Sequence, residues 1–389
     1  MLLTLIAFII ILSLLVFVHE FGHFLTAIKF GVKAEEFGFG LPPRAIGLQI
    51  LKDQGKKKIN WIWGDKKLAE AAPIVYSLNW LPIGGFVKIK GENGELAEAA
   101  DSFGHQSIGR RIVILAAGVT MNILLAAILL SFGYGLGLPG AVDTHDNRAI
   151  IRDQQVQILE VLPGLPAAAA DFRPGDVIMV VDQTTIFKAM DIRTYLADKF
   201  GQTVKIKIRR GQQELVKAVV VGKYQNISSI GVALTDTGIV SYPWYWAVYE
   251  GFKMTFLWLI MIIVAFAIII KNLFSGLPAG IEVAGPVGIA VLTSQATKLG
   301  FAYILQFAAL LSINLAIINI LPFPALDGGR IMFLVIEKIR GRAIKQKWEN
   351  LAHNVGFILL LCLVALVTYK DIIRYGGKIA GAFRRMIGL

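Results

Sequence analysis

Unbroken apolar runs and the polar stretches between them divide the chain. Residues 2–18 are almost wholly apolar, and the run resumes after a polar cluster to reach Ile28. Further apolar runs occupy 112–138, 255–270, 301–321 and 354–369. Runs of this length predict transmembrane helices. The first does not read as a cleavable signal peptide: it lacks a basic start and an Ala-x-Ala site, and polar residues fall where cleavage would occur. Between the second and third runs the pattern shortens. Alternation between Pro- and Gly-marked turns predicts strands at Gln155–Val161, Val177–Val181, Val204–Arg209 and Leu215–Val221, a short helix at Ala167–Asp171 and a longer one at Ile192–Phe200. The expected fold is a polytopic α-helical membrane protein with an inserted α+β module. Its parts are an N-terminal membrane portion (1–139), an extracytoplasmic module (140–235) and a C-terminal membrane portion (236–389).

Charge sets the expected direction of the runs. Lys and Arg number 39 against 27 Asp and Glu, a net +12, and charged residues make up only 17% of the chain. Soluble domains carry about 25%. In so apolar a chain, basic excess marks cytoplasmic loops and anionic lipid surface rather than nucleic acid. The stretch from Lys29 to Arg111 holds Lys52, Lys56, Lys57, Lys58, Lys66, Lys67 and Arg110, which the positive-inside rule assigns to the cytoplasm. Residues 330–347 carry a second basic cluster. Both clusters fall on one side if 255–270 is re-entrant or lies against the membrane, giving about four crossings. The basic tail from Lys370 to Arg385 runs against that count. Trp244, Tyr245 and Trp246 read as an interfacial anchor. A single cysteine, Cys362, excludes an intramolecular disulfide and a cysteine metal cage.

The sharpest chemical signal is His19-Glu20-Phe21-Gly22-His23. On a helix, residues i and i+4 share a face, so both histidines can reach one metal ion, and Glu20 sits close enough to polarise a metal-bound water. Three ionisable groups in an apolar helix need a functional reason. His23 lies six residues before Lys29, about 9 Å along a helix, so the site belongs inside the bilayer near its cytoplasmic face. A catalytic zinc takes three protein ligands. His105, His145 and His353 are scattered, and the better third ligand is Asp327 in Asn319-Ile-Leu-Pro-Phe-Pro-Ala-Leu-Asp327-Gly-Gly. Pro322 and Pro324 must break the fourth helix there, and Gly328 and Gly329 let the chain turn behind the carboxylate. Asn122, midway along the second helix, either faces this site or hydrogen-bonds between helices.

These motifs carry a resemblance. The stretch "VLPGLPAAAADFRPGDVIMVVDQTTI" resembles a PDZ domain of the permuted bacterial type, which implies binding of an extended peptide at a sheet edge. HEFGH at 19–23, "PIGGFVKIKGE" at 82–92, "GPVGI" at 285–289 and "NILPFPALDGG" at 319–329 together resemble the site-2 protease family, in its bacterial single-PDZ form, over nearly the whole chain. The resemblance implies an intramembrane zinc metalloprotease of the bacterial inner membrane. It makes His19, His23 and Asp327 the Zn2+ ligands, Glu20 the general base, and Asn319 a substrate-binding residue near the metal. It makes Pro82–Glu92 a membrane-associated β-hairpin whose Gly85, Phe86 and Val87 pair with substrate. The implied substrates are single-pass transmembrane proteins such as anti-sigma factors, or remnant signal peptides.

Two other readings compete. A catalytically silent PDZ-bearing adaptor predicts a decayed metal motif. A prenyl-protein protease would draw its third ligand from a downstream glutamate, for which Glu337 is available among basic residues.

Overall fold

A computed structural model describes the chain except residues 1, 54–55, 66–71, 93, 95–97, 143–145, 212, 226, 278–283 and 387–389, and without the side chains of 2, 52–53, 56 and 377–386. His145, Lys66 and Lys67 thus lie outside the described residues. In chain order the elements are α1 (Leu2–Lys29), β1 (Ala34–Asp53), β2 (Lys56–Trp63), β3 (Val75–Ile89), α2 (Ile108–Leu136), β4 (Leu138–Ala141), β5 (Ile150–Val161), α3 (Pro166–Ala169), β6 (Val177–Val181), β7 (Thr184–Thr185), α4 (Ala189–Leu196), β8 (Thr203–Arg210), β9 (Gln213–Val220), β10 (Gly222–Tyr224), β11 (Ile227–Ser229), β12 (Val232–Ser241), α5 (Trp244–Phe274), α6 (Pro286–Leu299), α7 (Phe301–Ile320), α8 (Asp327–Arg340) and α9 (Gln346–Met386). They form two compact units, one of Met1–Leu130 with Gly251–Leu389 and one of Ser131–Glu250.

In the first unit α1 is the central helix. Its Ile11 and Leu15 pack with Leu125 and Leu129 of α2 and with Ile304, Ala308, Leu311 and Leu315 of α7. Asn122 lies beside His19 and Ile114 beside His23, so α2 runs antiparallel to α1. Ile304 and Ala308 meet α1 near its start and Asn319 meets it at His19, so α7 runs parallel to it. Among the described residues five helices are long and apolar enough to cross a membrane: those at Leu3–Lys29, Ile108–Leu136, Trp244–Phe274, Phe301–Ile320 and Gln346–Gly376.

The segment 255–270, expected to be re-entrant or to lie against the membrane, is part of α5. Helix α5 is unbroken over 31 residues, about 46 Å at 1.5 Å per residue, and does not fold back on itself. A crossing there would leave Asp327 opposite His23 only if nothing reversed the chain before α7. The sequence reading missed α6, which packs against α1, α7 and α9. Gly300, at φ 116°, alone joins it to α7. Buried Asp371 of α9 accepts the Gly288 N–H at 2.7 Å and so satisfies a free donor at the start of α6.

Strands β1 to β3 form a sheet that the sequence reading reduced to a hairpin at 82–92. Ile46–Asp53 of β1 pairs with β2. The first part of β3 lies between the two halves of β1, with Ser77 opposite both Gly38 and Gly47. Its last part, Gly85–Ile89, pairs with Ala34–Phe39. The hairpin is therefore not local: the partner of Gly85–Ile89 lies some fifty residues earlier, and this strand is an edge of the sheet. One face of the sheet exposes Ile50, Ile59, Trp61, Trp63, Tyr76 and Leu78, while Gln49 and Ile62, one residue out of phase, are buried.

In the second unit, β4, β12, β5, β6, β8 and β9 form a sheet in that spatial order, with β7 beside β6. Strand β12 was not foreseen. Its core packs Val156, Ile158, Ile178, Ile206 and Ile208 from the strands against Ile192 and Leu196 of α4. Asp176, 1% exposed, receives two bonds from Arg210, at 2.7 and 2.8 Å, and the backbone N–H of Arg173 at 2.9 Å. These bonds fix the Arg173-Pro-Gly-Asp176 turn that leads into β6.

Candidate metal centre and cleft

Helix α1 presents His19 and His23 one turn apart, both buried, with Nε2 atoms 3.2 Å apart. Asp327 Oδ2 lies 2.9 Å from His19 Nε2 and 3.4 Å from His23 Nε2. This is the one His/Cys/Asp/Glu cluster among the described residues that could hold a metal ion, its three donor atoms within 4.8 Å of one another. His23 Nδ1–H donates to the Ile114 carbonyl at 2.8 Å. The proton is thereby placed on Nδ1, and the Nε2 lone pair is left facing the cluster. Gly118 of α2 covers the pair, and a Cβ there would stand 2.5 Å from His23 Nε2 and 2.8 Å from His19 Nε2. Two imidazoles and a carboxylate converging below a bare glycine fit a zinc site with a fourth position open to water.

The broken helix that delivers Asp327 follows from its sequence. Pro322 and Pro324 end α7 at Ile320, and α8 begins at Asp327 itself. Between them Ala325 adopts φ 82°, uncommon for a residue with a side chain, and donates its N–H to His353 Nδ1 at 2.8 Å. The two glycines after Asp327 are needed for close approach. A Cβ at Gly328 would lie 2.2 Å from the Ile320 carbonyl oxygen, and one at Gly329 would lie 2.3 Å from that of Phe323. Gly356 of α9 leaves the same kind of room for the Pro324 carbonyl.

A cleft of about 220 Å³ opens onto this cluster, lined by Val16, His19, Glu20, Leu315, Asn319, Ala325, Leu326 and Asp327. Of the residues selected from the sequence, His19, Glu20, Asn319 and Asp327 thus border one space. Asn319 Nδ2 reaches within 3.3 Å of His19 Nε2. A larger apolar hollow of about 340 Å³, between Phe323, Pro324 and α9, has no titratable side chain on its walls.

Gly85, Phe86 and Val87 do not enter the cleft, but their strand is fastened to the metal-bearing helix. Ser13 Oγ donates to the Pro82 carbonyl at 3.0 Å and accepts the Gly84 N–H at 3.2 Å. A Cβ at Gly85 would lie 3.2 Å from Phe17 Cα, so β3 passes α1 flush, just before His19. Beyond the strand, Glu92 pairs with Arg330, one turn after Asp327. The alternative ligand Glu337 is elsewhere, bonded to Arg111 at 2.7 Å. Two features of the site escaped the sequence reading, Gly118 and the Ile114 carbonyl, whereas Asn122, expected either to face the site or to bond between helices, stands 3.2 Å from His19 Nδ1. The four-residue steps from 114 to 118 to 122 were the available signal, since they place all three on one helix face.

Comparison with known proteins identifies the family. Peptidase family M50 matches residues 7–61 and 66–363. A Clostridium perfringens protein whose name places it among the zinc metalloproteases is 32% identical over 368 residues, covering 93% of this chain and 96% of that protein. The zinc metalloprotease RasP of Oceanobacillus iheyensis is 26% identical over 460 residues, covering 95% of this chain and 99% of that protein. The PDZ domain of an SdrC-like protein from Listeria innocua is similar over 21% of this chain and 92% of that chain, at 25% identity and a TM-score of 0.19. A family match over most of the length, together with the converging His, His and Asp donors, leads to one conclusion: the chain belongs to peptidase family M50, the site-2 proteases, and is a multi-pass membrane zinc metalloprotease.

Proposed function

We propose that this protein hydrolyses peptide bonds within transmembrane segments of other membrane proteins, with His19, His23 and Asp327 as zinc ligands and Glu20 as general base. The observation that carries the reading is the shared cleft: Glu20 and Asn319 border the same space as His19 and Asp327, with His23 Nε2 3.2 Å behind His19 Nε2, on helices apolar enough to span a bilayer. Zinc held by His19, His23 and Asp327 would acidify water and polarise the scissile carbonyl. Glu20 then takes a proton from the attacking water and delivers it to the leaving amine. The Asn319 amide, aimed at the cluster, donates to the substrate carbonyl oxygen as that oxygen gains charge.

A transmembrane helix hides its carbonyls in intrahelical bonds, so the substrate must be drawn out before it is cut. The edge at Gly85–Ile89, with Phe86 and Val87, supplies backbone partners for the extended form beside the catalytic helix. The exposed apolar face of the same sheet suits contact with lipid. The basic 29–111 stretch supports a catalytic end near the cytoplasmic side of a bacterial inner membrane, with Ser131–Glu250 outside. In that outer unit, among the described residues, β4 pairs with Thr237–Val240 of β12 and not with Val232–Thr235, which offer a peptide an edge to join. Substrates of this kind include anti-sigma factors and remnant signal peptides. The test is cleavage of a single-pass substrate by purified protein in detergent. A zinc-dependent cut inside the transmembrane segment, lost in Glu20→Gln, supports the reading; cuts only in soluble loops would overturn it.

A further inference from the structure

We propose that Asn122 is the positioning residue for His19, its side-chain oxygen accepting the Nδ1 proton of that histidine; the inference rests on the reading of His19 as a zinc ligand. Asn122 is fully buried in α2, with its amide 3.2 Å from His19 Nδ1. Eight residues earlier on α2, the Ile114 carbonyl performs this task for His23. The face of α2 turned to α1 thus offers two acceptors two turns apart, with Gly118 between them leaving space for both rings. The two histidines are one turn apart on an antiparallel helix, and each meets one of the acceptors.

The orientation of the amide follows from proton accounting. A neutral imidazole that directs its Nε2 lone pair at the metal carries its proton on Nδ1, so Nδ1 is a donor and needs an acceptor. With the amide nitrogen toward the ring, two donors face each other, and Asn122 Oδ1 is buried with no partner. Turning the amide by 180° costs nothing at the far end, where one polar atom lacks a partner in either case, and it gives Nδ1–H its acceptor. Ser312 of α7 holds this turn of α2 in place by donating to the Asn122 carbonyl at 2.7 Å. Hydrogen-bonded partners of this kind fix ring orientation and raise ligand basicity, and removing one lowers metal affinity by about 10- to 100-fold.

The test uses the full chain in detergent, with zinc affinity measured by chelator competition and the site geometry read from the visible spectrum of the Co2+-loaded protein. Asn122→Leu, similar in size but without an acceptor, is expected to weaken zinc by about 10- to 100-fold and to change the cobalt bands. Asn122→Asp keeps the acceptor and is expected to stay near wild type in both. Wild-type affinity and spectrum in Asn122→Leu would overturn the inference, as would an equal loss in Asn122→Asp. Should the leucine variant not fold, Asn122→Ala carries the same expectation against Asn122→Asp. His19→Ala is the control for the underlying reading: if it binds zinc as wild type does, His19 is not a ligand, whereas its failure beside an unaffected Asn122→Leu removes the positioning role alone.

Discussion

His19 Nε2 and Asp327 Oδ2 stand 2.9 Å apart although the two residues are separated by 308 positions in the chain. The contact is made by three local events. Helix α1 turns two histidines to one face, two prolines stop α7 at the matching depth, and two glycines let α8 start immediately behind the carboxylate. Neither partner has a soluble-loop environment in which a charged group would be ordinary. The cluster therefore reads as a site rather than as a stabilising ion pair.

Glu20 and Asp327 differ in kind, and their variants should separate. Glu20→Gln is expected to retain one zinc per protein while cleavage falls by about 10²- to 10⁴-fold, the usual worth of a positioned general base. Asp327→Ala should lose zinc itself. Elemental analysis beside a cleavage assay checks both, and an active Glu20→Gln protein would remove Glu20 from the mechanism.

Glu337 separates the third-ligand alternatives. Because it bonds Arg111 at 2.7 Å away from the cluster, Glu337→Gln should keep full zinc content. It should lower stability by about 1–3 kcal/mol, since Arg111 is left half-buried without its partner. Loss of zinc on the scale of Asp327→Ala would reassign the ligand.

Gly118→Val tests the cradle. Even the Cβ would sit 2.5 Å from His23 Nε2, and the branched side chain cannot swing clear of both rings. Zinc binding should be abolished while the second unit keeps its melting transition, because the substitution lies in the first unit. Normal zinc content in this variant would show that α2 yields there and that the glycine is not required.

Much of this was legible in the sequence, and what was missed has a common cause. The histidine pair, the proline break and the strands at 177–181 and 204–209 depend on residues near one another, where periodicity and turn chemistry speak directly. The sheet of β1 to β3 was missed because Gly85–Ile89 pairs with residues 34–39, a register that no local pattern encodes. The apolar face of that sheet, exposed in the protein, also blurs the alternation expected of a half-buried strand. Helix α6 escaped because fourteen residues are too few to register as a span. The role of Gly118 could not be read from α2 alone, since what makes it necessary is the ring of a different helix.

The Asp171–Asp176–Arg210 network gives the second unit an acid limit. Burial pushes the Asp176 carboxyl up, but the bonds from Arg210 and the Arg173 N–H outweigh it and hold the group below the usual carboxylate range. Bonds from Lys217, Arg173 and Arg210 hold Asp171 far below that range. A carboxylate depressed in the folded state adds stability that is complete above its unfolded pKa, about 3.9, and is lost as pH falls through the folded value. The calorimetric transition of this unit should therefore hold from neutral pH to about pH 5 and decline below about pH 4. Arg210→Met should cost about 3 kcal/mol at pH 7 by leaving Asp176 buried and unpaired, and should flatten the acid limb. An unchanged acid limb in the variant would show that other groups set it.

Gly85 carries the test of the substrate edge. The strand passes α1 so closely that a Cβ at Gly85 would lie 3.0 Å from the Gly38 carbonyl oxygen and 3.2 Å from Phe17 Cα. Gly85→Val must therefore lift the edge strand off α1 or shift it along. The metal donors are on other elements, so zinc content should not change. If Gly85–Ile89 aligns the unwound substrate with the cleft, a displacement of about 1 Å should lower kcat/KM for a transmembrane substrate by up to about 100-fold. A short soluble peptide that enters the cleft without strand pairing should be cut at nearly the wild-type rate. The ratio of the two activities is the informative quantity. Equal losses on both substrates would mean that the substitution disturbs α1 and the catalytic groups. No loss on either would mean that the edge does not hold the substrate, and that extension occurs elsewhere along the cleft.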